Sequence, residues 1–268
     1  MGEDSGRTER RVTLITGASG GIGADLARVF GRRGHDLALV ARSADKLAKL
    51  ADEIEPISRR RPLIVVADLM QPQAPDTIAT ALEAEKAGVE ILVNNAGFGL
   101  SGHVAELDPA EQLRMVDLDV RSVVAMTLRF LPQIRAARGK ILNLSSTAAF
   151  FPGGPGMAVY YASKAFVLSF SLGLAQELRS EGVTVSALCP GVTPSGFQER
   201  AGFGPQIKVD RLPMTTTMEV AEAGYSGLMA AKPQIVPGWF NKLGALFLPL
   251  TPKSLVLMTV SQLQQKRF

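Results

Sequence analysis

Tyr160, Tyr161 and Lys164 fall within the nine residues AVYYASKAF (158–166). Lys164 follows Tyr160 by four positions and Tyr161 by three. On a helix, either spacing sets a phenol and an ammonium on one face. Such a pair is either a packing stripe or a proton-transfer couple. A proton-transfer role explains the lysine. A free phenol titrates near pH ~10. An ammonium about 4 Å away, at an effective dielectric of about 20, favours the ionised form by about 4 kcal/mol. The spacing alone leaves both tyrosines open.

A second cluster lies near the start, in TGASGGIG (16–23). An apolar run precedes it and the helix-like stretch ADLARVFGRRG follows. Gly17, Gly21 and Gly23 stand where a strand turns sharply into a helix and a ligand must approach bare backbone. The helix start offers unpaired N–H groups and a positive dipole end, which suit a pyrophosphate. Gly17, Ser19, Gly21, Ile22 and Gly23 are therefore candidate cofactor-binding residues. The spacing is G-x3-G-x-G rather than the commoner dinucleotide pattern.

The elements that position these clusters are legible as an alternation. RVTLIT (11–16), DLALVA (36–41), PLIVVA (62–67), EILVNN (90–95), KILNLS (140–145) and VTVSAL (183–188) are short and rich in β-branched residues and leucine. Helix-like stretches separate them, the longest at 109–137 and 158–181. QIVPG (234–238) is a candidate seventh strand. Strands alternating with helices predict an α/β fold: a doubly wound parallel sheet with helices on both faces. No repeat or linker interrupts 1–268, so one domain is expected, more irregular from about residue 190, where a substrate cleft and C-terminal cap would lie.

With the glycine turn, NNAG (94–97) after the fourth strand and Tyr160-x3-Lys164 after the fifth, the chain resembles the short-chain dehydrogenase/reductase family from residue 11 to about residue 195. The resemblance implies a Rossmann-type fold and hydride transfer between a nicotinamide and a carbonyl or alcohol carbon. It selects Tyr160 as the proton donor or acceptor, since Tyr161 is one residue late and about 100° around the helix. It gives Lys164 two tasks, lowering the phenol's pKa and holding the ribose. It assigns Asn95, Ala96 and Gly97 to the cofactor, with Asp68 at the adenine. In LCPGVTPSGF (188–197), Pro190, Gly191 and Thr193 match the segment that holds the nicotinamide, and Ser195 stands where a threonine is usual. A serine after the fifth strand should orient the substrate oxygen. Among Ser145, Ser146 and Thr147, the strand end favours Ser146, with Thr147 as its rival. Ser146 precedes Tyr160 by fourteen residues, one more than is common, and the Gly/Pro loop FPGGPG can absorb the difference. In DLDV (117–120), Asp119 replaces the usual asparagine of a proton relay. It keeps the backbone carbonyl, loses an amide donor and adds a charge that either disturbs Lys164 or pairs with it. A homodimer or homotetramer built on helices 109–137 and 158–181 is also implied.

The cofactor preference follows from the end of the second strand. NAD-preferring enzymes carry an acid there to hold the ribose hydroxyls. Here the strand ends VARS, and Asp36 lies at its other end. The Arg42 guanidinium suits a 2′-phosphate, so NADP(H) is expected ahead of NAD(H). Gly20 stands where many NADP enzymes add a second basic residue.

Other features narrow the function classes. Net charge is +4, and the arginines are scattered with no aromatic platform or basic helix, so no nucleic-acid partner is expected. One cysteine, Cys189, cannot form an internal disulfide and points to a reducing, cytoplasmic setting. The polar start MGEDSGRTERR lacks the apolar core of a signal peptide. His35 and His103 have no metal-like spacing, so no metal is expected. The tail 238–268 is apolar but broken by Pro249 and Pro252, so it does not read as one spanning helix. It reads first as a cap or subunit contact, with an amphipathic surface that meets lipid as the less favoured reading. The alternative to an enzyme is a non-catalytic dinucleotide-binding sensor or scaffold, favoured by Asp119 and the stretched Ser146–Tyr160 spacing.

Overall fold

The computed structural model describes residues 10–194, 196, 201 and 214–265. The seven apolar runs form strands β1 (Arg10–Thr16), β2 (Leu37–Ala41), β3 (Leu63–Val66), β4 (Ala87–Asn94), β5 (Lys140–Leu144), β6 (Thr184–Leu188) and β7 (Gln234–Ile235). They pair in one sheet in the order β3-β2-β1-β4-β5-β6-β7, and every pairing is parallel. A fully covered parallel sheet needs apolar residues on both strand faces. LALVA of β2, buried throughout, shows that pattern.

Helices α1 (Gly21–Arg32), α2 (Ala44–Ser58), α3 (Ala74–Ala84), α4 (Pro109–Val116), α5 (Ser122–Ala136) and α6 (Ala158–Glu177) connect the strands. Two apolar cores result. One joins Ile78, Phe130 and Leu174 to one sheet face, and the other joins Leu26, Phe30 and Leu47 to the opposite face. The strand order reverses between β1 and β4, which opens a crevice at their carboxyl ends, where ligands of such sheets bind.

The stretch 109–137 differs from the single helix expected. A π-helical turn, Asp117–Arg121, separates α4 from α5. One surplus residue widens the helix there. The turn carries Asp119, whose side chain is fully buried. The stretch 158–181 forms α6 followed by a 3-10 turn, Arg179–Glu181. Among the described residues, α6 is the one helix apolar and long enough to cross a membrane. Its buried Ser163, Lys164 and Ser171 instead face the rest of the protein.

Among the described residues, the end expected to be irregular contains three α-helices, α7 (Thr217–Met229), α8 (Trp239–Phe247) and α9 (Lys253–Gln265). A capping box starts α7: Thr216 accepts the Glu219 N–H, and Glu219 accepts the Thr216 N–H. That T-x-x-E signal is present in the sequence and is enough to mark the helix.

Candidate active site

The glycine turn closes against NNAG. Thr16 Oγ1 accepts the N–H groups of Asn95 at 3.0 Å and Ala96 at 3.1 Å, and donates to the Val93 carbonyl at 3.2 Å. The Asn95 amide donates to the carbonyls of Thr16 at 2.9 Å and Gly17 at 3.2 Å. In this geometry Asn95 clamps the turn. Thr16, at the hub of the clamp, was not singled out from sequence, because it reads as an ordinary strand residue.

Gly17 has φ 66°, and a Cβ there would lie 2.8 Å from Ala96 Cα. Its backbone and its neighbours both require glycine. Gly20 precedes α1, and no side chain caps the helix. The first N–H groups of a helix have no partner within it. Here they border a cavity of about 330 Å³ lined by Ser19, Gly20, Gly21, Ala24, Lys46 and Lys49, among others. Bare backbone, uncapped donors and two lysines fit the phosphates of a dinucleotide. The two lysines, in the first turns of α2, were also missed in the sequence. A basic residue there is an ordinary surface charge until the fold brings it beside the turn.

Arg42 lies just past β2 and is exposed. Asp36, at the other end of that strand, is bound by Arg10 at 3.0 Å and by Arg60. Asp68 follows β3, where its carboxylate accepts the Met70 N–H at 3.2 Å. Thr193 is buried, and its hydroxyl donates to the Gly191 carbonyl at 3.2 Å. The Pro190 carbonyl accepts the Thr147 N–H at 2.9 Å, which ties this segment to the end of β5. Ser195 lies outside the described residues.

Ser146, Tyr160, Lys164 and Asp119 converge beside Gly97. Ser146 caps a 3-10 turn, Thr147–Phe150, by accepting the Ala148 N–H at 3.1 Å. Its side chain is also hydrogen bonded to Tyr160. The turn and the Gly/Pro loop thus accommodate the fourteen-residue spacing. Tyr161 turns away and packs over Gly154, where an added Cβ would lie 2.5 Å from its ring.

Lys164 Nζ lies 2.9 Å from Asp119 Oδ2, with both side chains nearly inaccessible. It also donates to the Leu144 carbonyl at 3.3 Å. The other Asp119 oxygen accepts the Phe98 N–H at 3.0 Å. A Cβ on Gly97 would lie 3.0 Å from Asp119 Oδ1 and 3.2 Å from Lys164 Nζ, so glycine leaves this pair room. Beneath it, Asn94 donates to Thr127 at 3.1 Å and Asn143 at 2.9 Å, and Asn143 donates to Ser171 at 2.9 Å. This chain fixes α5 and α6 against β4 and β5.

The electrostatics differ from the simple expectation for a tyrosine–lysine couple. Burial pushes the Tyr160 phenol up. Lys164 and the Ser146 hydrogen bond oppose it, while Asp119 adds to it, and the net direction is upward. Burial alone would lower Lys164, but the Asp119 carboxylate holds it above its usual value. The cation is balanced within the protein and so pulls less on the phenol than a lone ammonium would. Burial pushes the Cys189 thiol up to about 12, which keeps it an inert apolar side chain.

Asp119→Asn tests this balance. Removing the carboxylate takes away an influence that raises Tyr160, so the phenol should lose its proton at lower pH. Where Tyr160 acts as the acid in turnover, the alkaline limb of the rate profile should move to lower pH. Turnover should stay within about tenfold of the parent. The variant should also melt earlier, since stranding a buried charge costs up to about 3–5 kcal/mol. An unchanged profile would show that Asp119 does not act on Tyr160.

Residues 11–202 match the family model described as short chain dehydrogenase. Sulfoacetaldehyde reductase 2 of Chromohalobacter salexigens is 35% identical over 214 residues, covering 79% of this chain and 84% of the relative. A short-chain dehydrogenase from Sphingobium yanoikuyae, solved with NADPH, superposes with a TM-score of 0.77 at 32% identity, covering 90% of this chain and 94% of the other. The 3-ketoacyl-(acyl-carrier-protein) reductase of Brucella melitensis, solved with NADH, gives a TM-score of 0.74 at 29% identity, covering 86% and 97%. No support remains for a non-catalytic sensor or scaffold. This chain belongs to the short-chain dehydrogenase family and is a nicotinamide-dependent oxidoreductase.

Proposed function

We propose that the protein reduces a carbonyl compound with NADPH. The observation that carries this is the setting of Tyr160: it is hydrogen bonded to Ser146 and kept protonated by burial and by Asp119, against the pull of a Lys164 whose charge Asp119 balances at 2.9 Å. A phenol that keeps its proton is an acid, and carbonyl reduction needs an acid at the oxygen. When bound, the nicotinamide supplies the hydride. Ser146 and Tyr160 orient the substrate oxygen by hydrogen bonds. As negative charge develops there, Tyr160 passes its proton to that oxygen. Lys164 stabilises the phenolate left behind, and Asp119 keeps the lysine protonated. Gly17, Ser19, Gly21, Ile22 and Gly23 hold the pyrophosphate, while Asp68 and the Ala96–Gly97 backbone border the adenosine and ribose. Pro190, Gly191 and Thr193 form the nicotinamide side.

An apolar substrate is supported by Leu100, Val104, Leu107 and Met157, which cluster beside the NNAG loop at the start of α6. Self-association through α4, α5 and α6 is supported by exposed Leu113, Leu128, Phe166 and Leu172 along those helices. The single, buried cysteine is consistent with a reducing cytoplasmic setting.

Arg42 sets the NADPH preference. Its guanidinium stands at the strand end with no acid beside it in the VARS sequence, and solved relatives carry either cofactor. Arg42→Ala should weaken NADPH binding by about ten- to a hundredfold and barely change NADH binding. Added salt should narrow the parent's preference, because the site is exposed. Cofactor titrations decide it, and equal parent affinities for NADH and NADPH would reject the preference.

A further inference from the structure

The short helix α8 is amphipathic in the inverted sense. Its exposed side chains include Trp239, Phe240, Leu243, Leu246 and Phe247. At about 100° per residue these five fall within a single arc of about 120°. The opposite side carries Asn241 and Ala245, which are only partly exposed. Asn241 faces inward: a Cβ on Gly191 would lie 2.5 Å from its amide. The helix therefore turns its polar side to the protein and its apolar side out. Trp239 is 68% exposed and Leu250, just beyond the helix, is 78% exposed. In α9, Leu255 and Met258 are also exposed, while Val256 and Val260 are buried.

Charge says what covers this surface. No aspartate or glutamate occurs after Glu222, whereas Lys232, Lys242, Lys253, Lys266 and Arg267 all do. Lys232, Lys242 and Lys253 are exposed. A second copy meeting this face would set lysines against lysines. Anionic headgroups would neutralise them, while the tryptophan, phenylalanines and leucines enter the acyl boundary. Isolated apolar side chains on a soluble surface are ordinary, but a continuous aromatic and aliphatic patch marks an interaction site.

We propose that α8 and the turn after it dock the protein onto an anionic lipid bilayer, lying in the plane of the interface. The inner face of the same helix abuts Gly191, so docking brings the mouth of the candidate site next to the lipid. An apolar carbonyl compound dissolved in the bilayer would then reach the site without crossing bulk water.

The chain has one tryptophan, Trp239, which makes the test direct. The full chain is mixed with phosphatidylcholine vesicles with or without phosphatidylglycerol. Tryptophan emission and co-sedimentation are then measured. The anionic vesicles should shift the emission to shorter wavelength and carry the protein down, and salt should weaken both effects. Leu246→Ser and Phe247→Ser should each reduce vesicle binding about tenfold or more. Lys242→Glu should reduce it too. All three variants should keep the parent's melting temperature and cofactor affinity. Unshifted emission with no sedimentation would overturn the proposal. So would equal binding to neutral and anionic vesicles. A dimer by light scattering that Leu246→Ser dissolves, with no vesicle binding, would assign the face to a second copy instead.

Discussion

Tyr160→Phe should lose turnover by about 10²–10⁴-fold while binding NADPH as tightly as the parent. The change removes one hydroxyl and keeps the ring, so the packing of α6 against its core survives. On the proposed mechanism it deletes the acid and leaves Ser146 to hold the substrate oxygen alone. Tyr161→Phe is the matched control. Its ring packs over Gly154 and against Phe151 at 6.1 Å between centroids, and the substitution keeps that ring. Steady-state rates with a panel of ketones, read beside cofactor titrations, check both variants. Loss of activity in Tyr161→Phe and not in Tyr160→Phe would reject the assignment.

Gly23→Ala should abolish cofactor binding and lower stability. A Cβ at that position would lie 2.3 Å from the Gly17 carbonyl oxygen and 2.4 Å from the Asn95 amide. Neither neighbour can give way cheaply. The carbonyl is backbone in the sharp turn, and the amide is the clamp that holds it. Overpacking of this kind costs about 1–3 kcal/mol, or several degrees of melting temperature. The displaced turn would also lose its alignment with the phosphates. Gly20→Ala is the stability control, because nothing lies within 4 Å of a Cβ there. Calorimetry and NADPH titration report the two effects separately. A Gly23→Ala protein that binds NADPH normally would show that the turn is not the phosphate cradle.

The sequence carries some of these features plainly and hides others. The seven strands are legible because a doubly covered sheet demands short apolar runs such as DLALVA, whose strand is buried throughout. The glycine turn is legible because its backbone forbids side chains. Tyr160 and Lys164 are legible because one helix sets their relation. Relations between elements are hidden. Asp119 can be seen to replace an asparagine, but its burial against Lys164 depends on a π-turn that tertiary packing imposes. Thr16, Asn143 and Ser171 do their work across strands and helices, so nothing in their local sequence marks them. The capping box of α7 is a purely local signal, Thr216-x-x-Glu219, and so stands in the sequence itself. The outward apolar face of α8 has helical period, yet the sequence cannot say which side meets the protein.

The widened turn at Asp117–Arg121 has a consequence for how this protein can change. It is one residue longer than the ordinary helix it interrupts. Deleting one residue there would restore the regular ladder and twist the flanking helices by about 100° relative to each other. Since α5 is anchored through Thr127 and Asn94, the mismatch would fall on Asp119 and α4. The buried carboxylate would swing off the lysine. A gain in helix regularity would thus come at the expense of the site's charge balance. The two helix forms differ by an insertion, so substitution alone does not interconvert them.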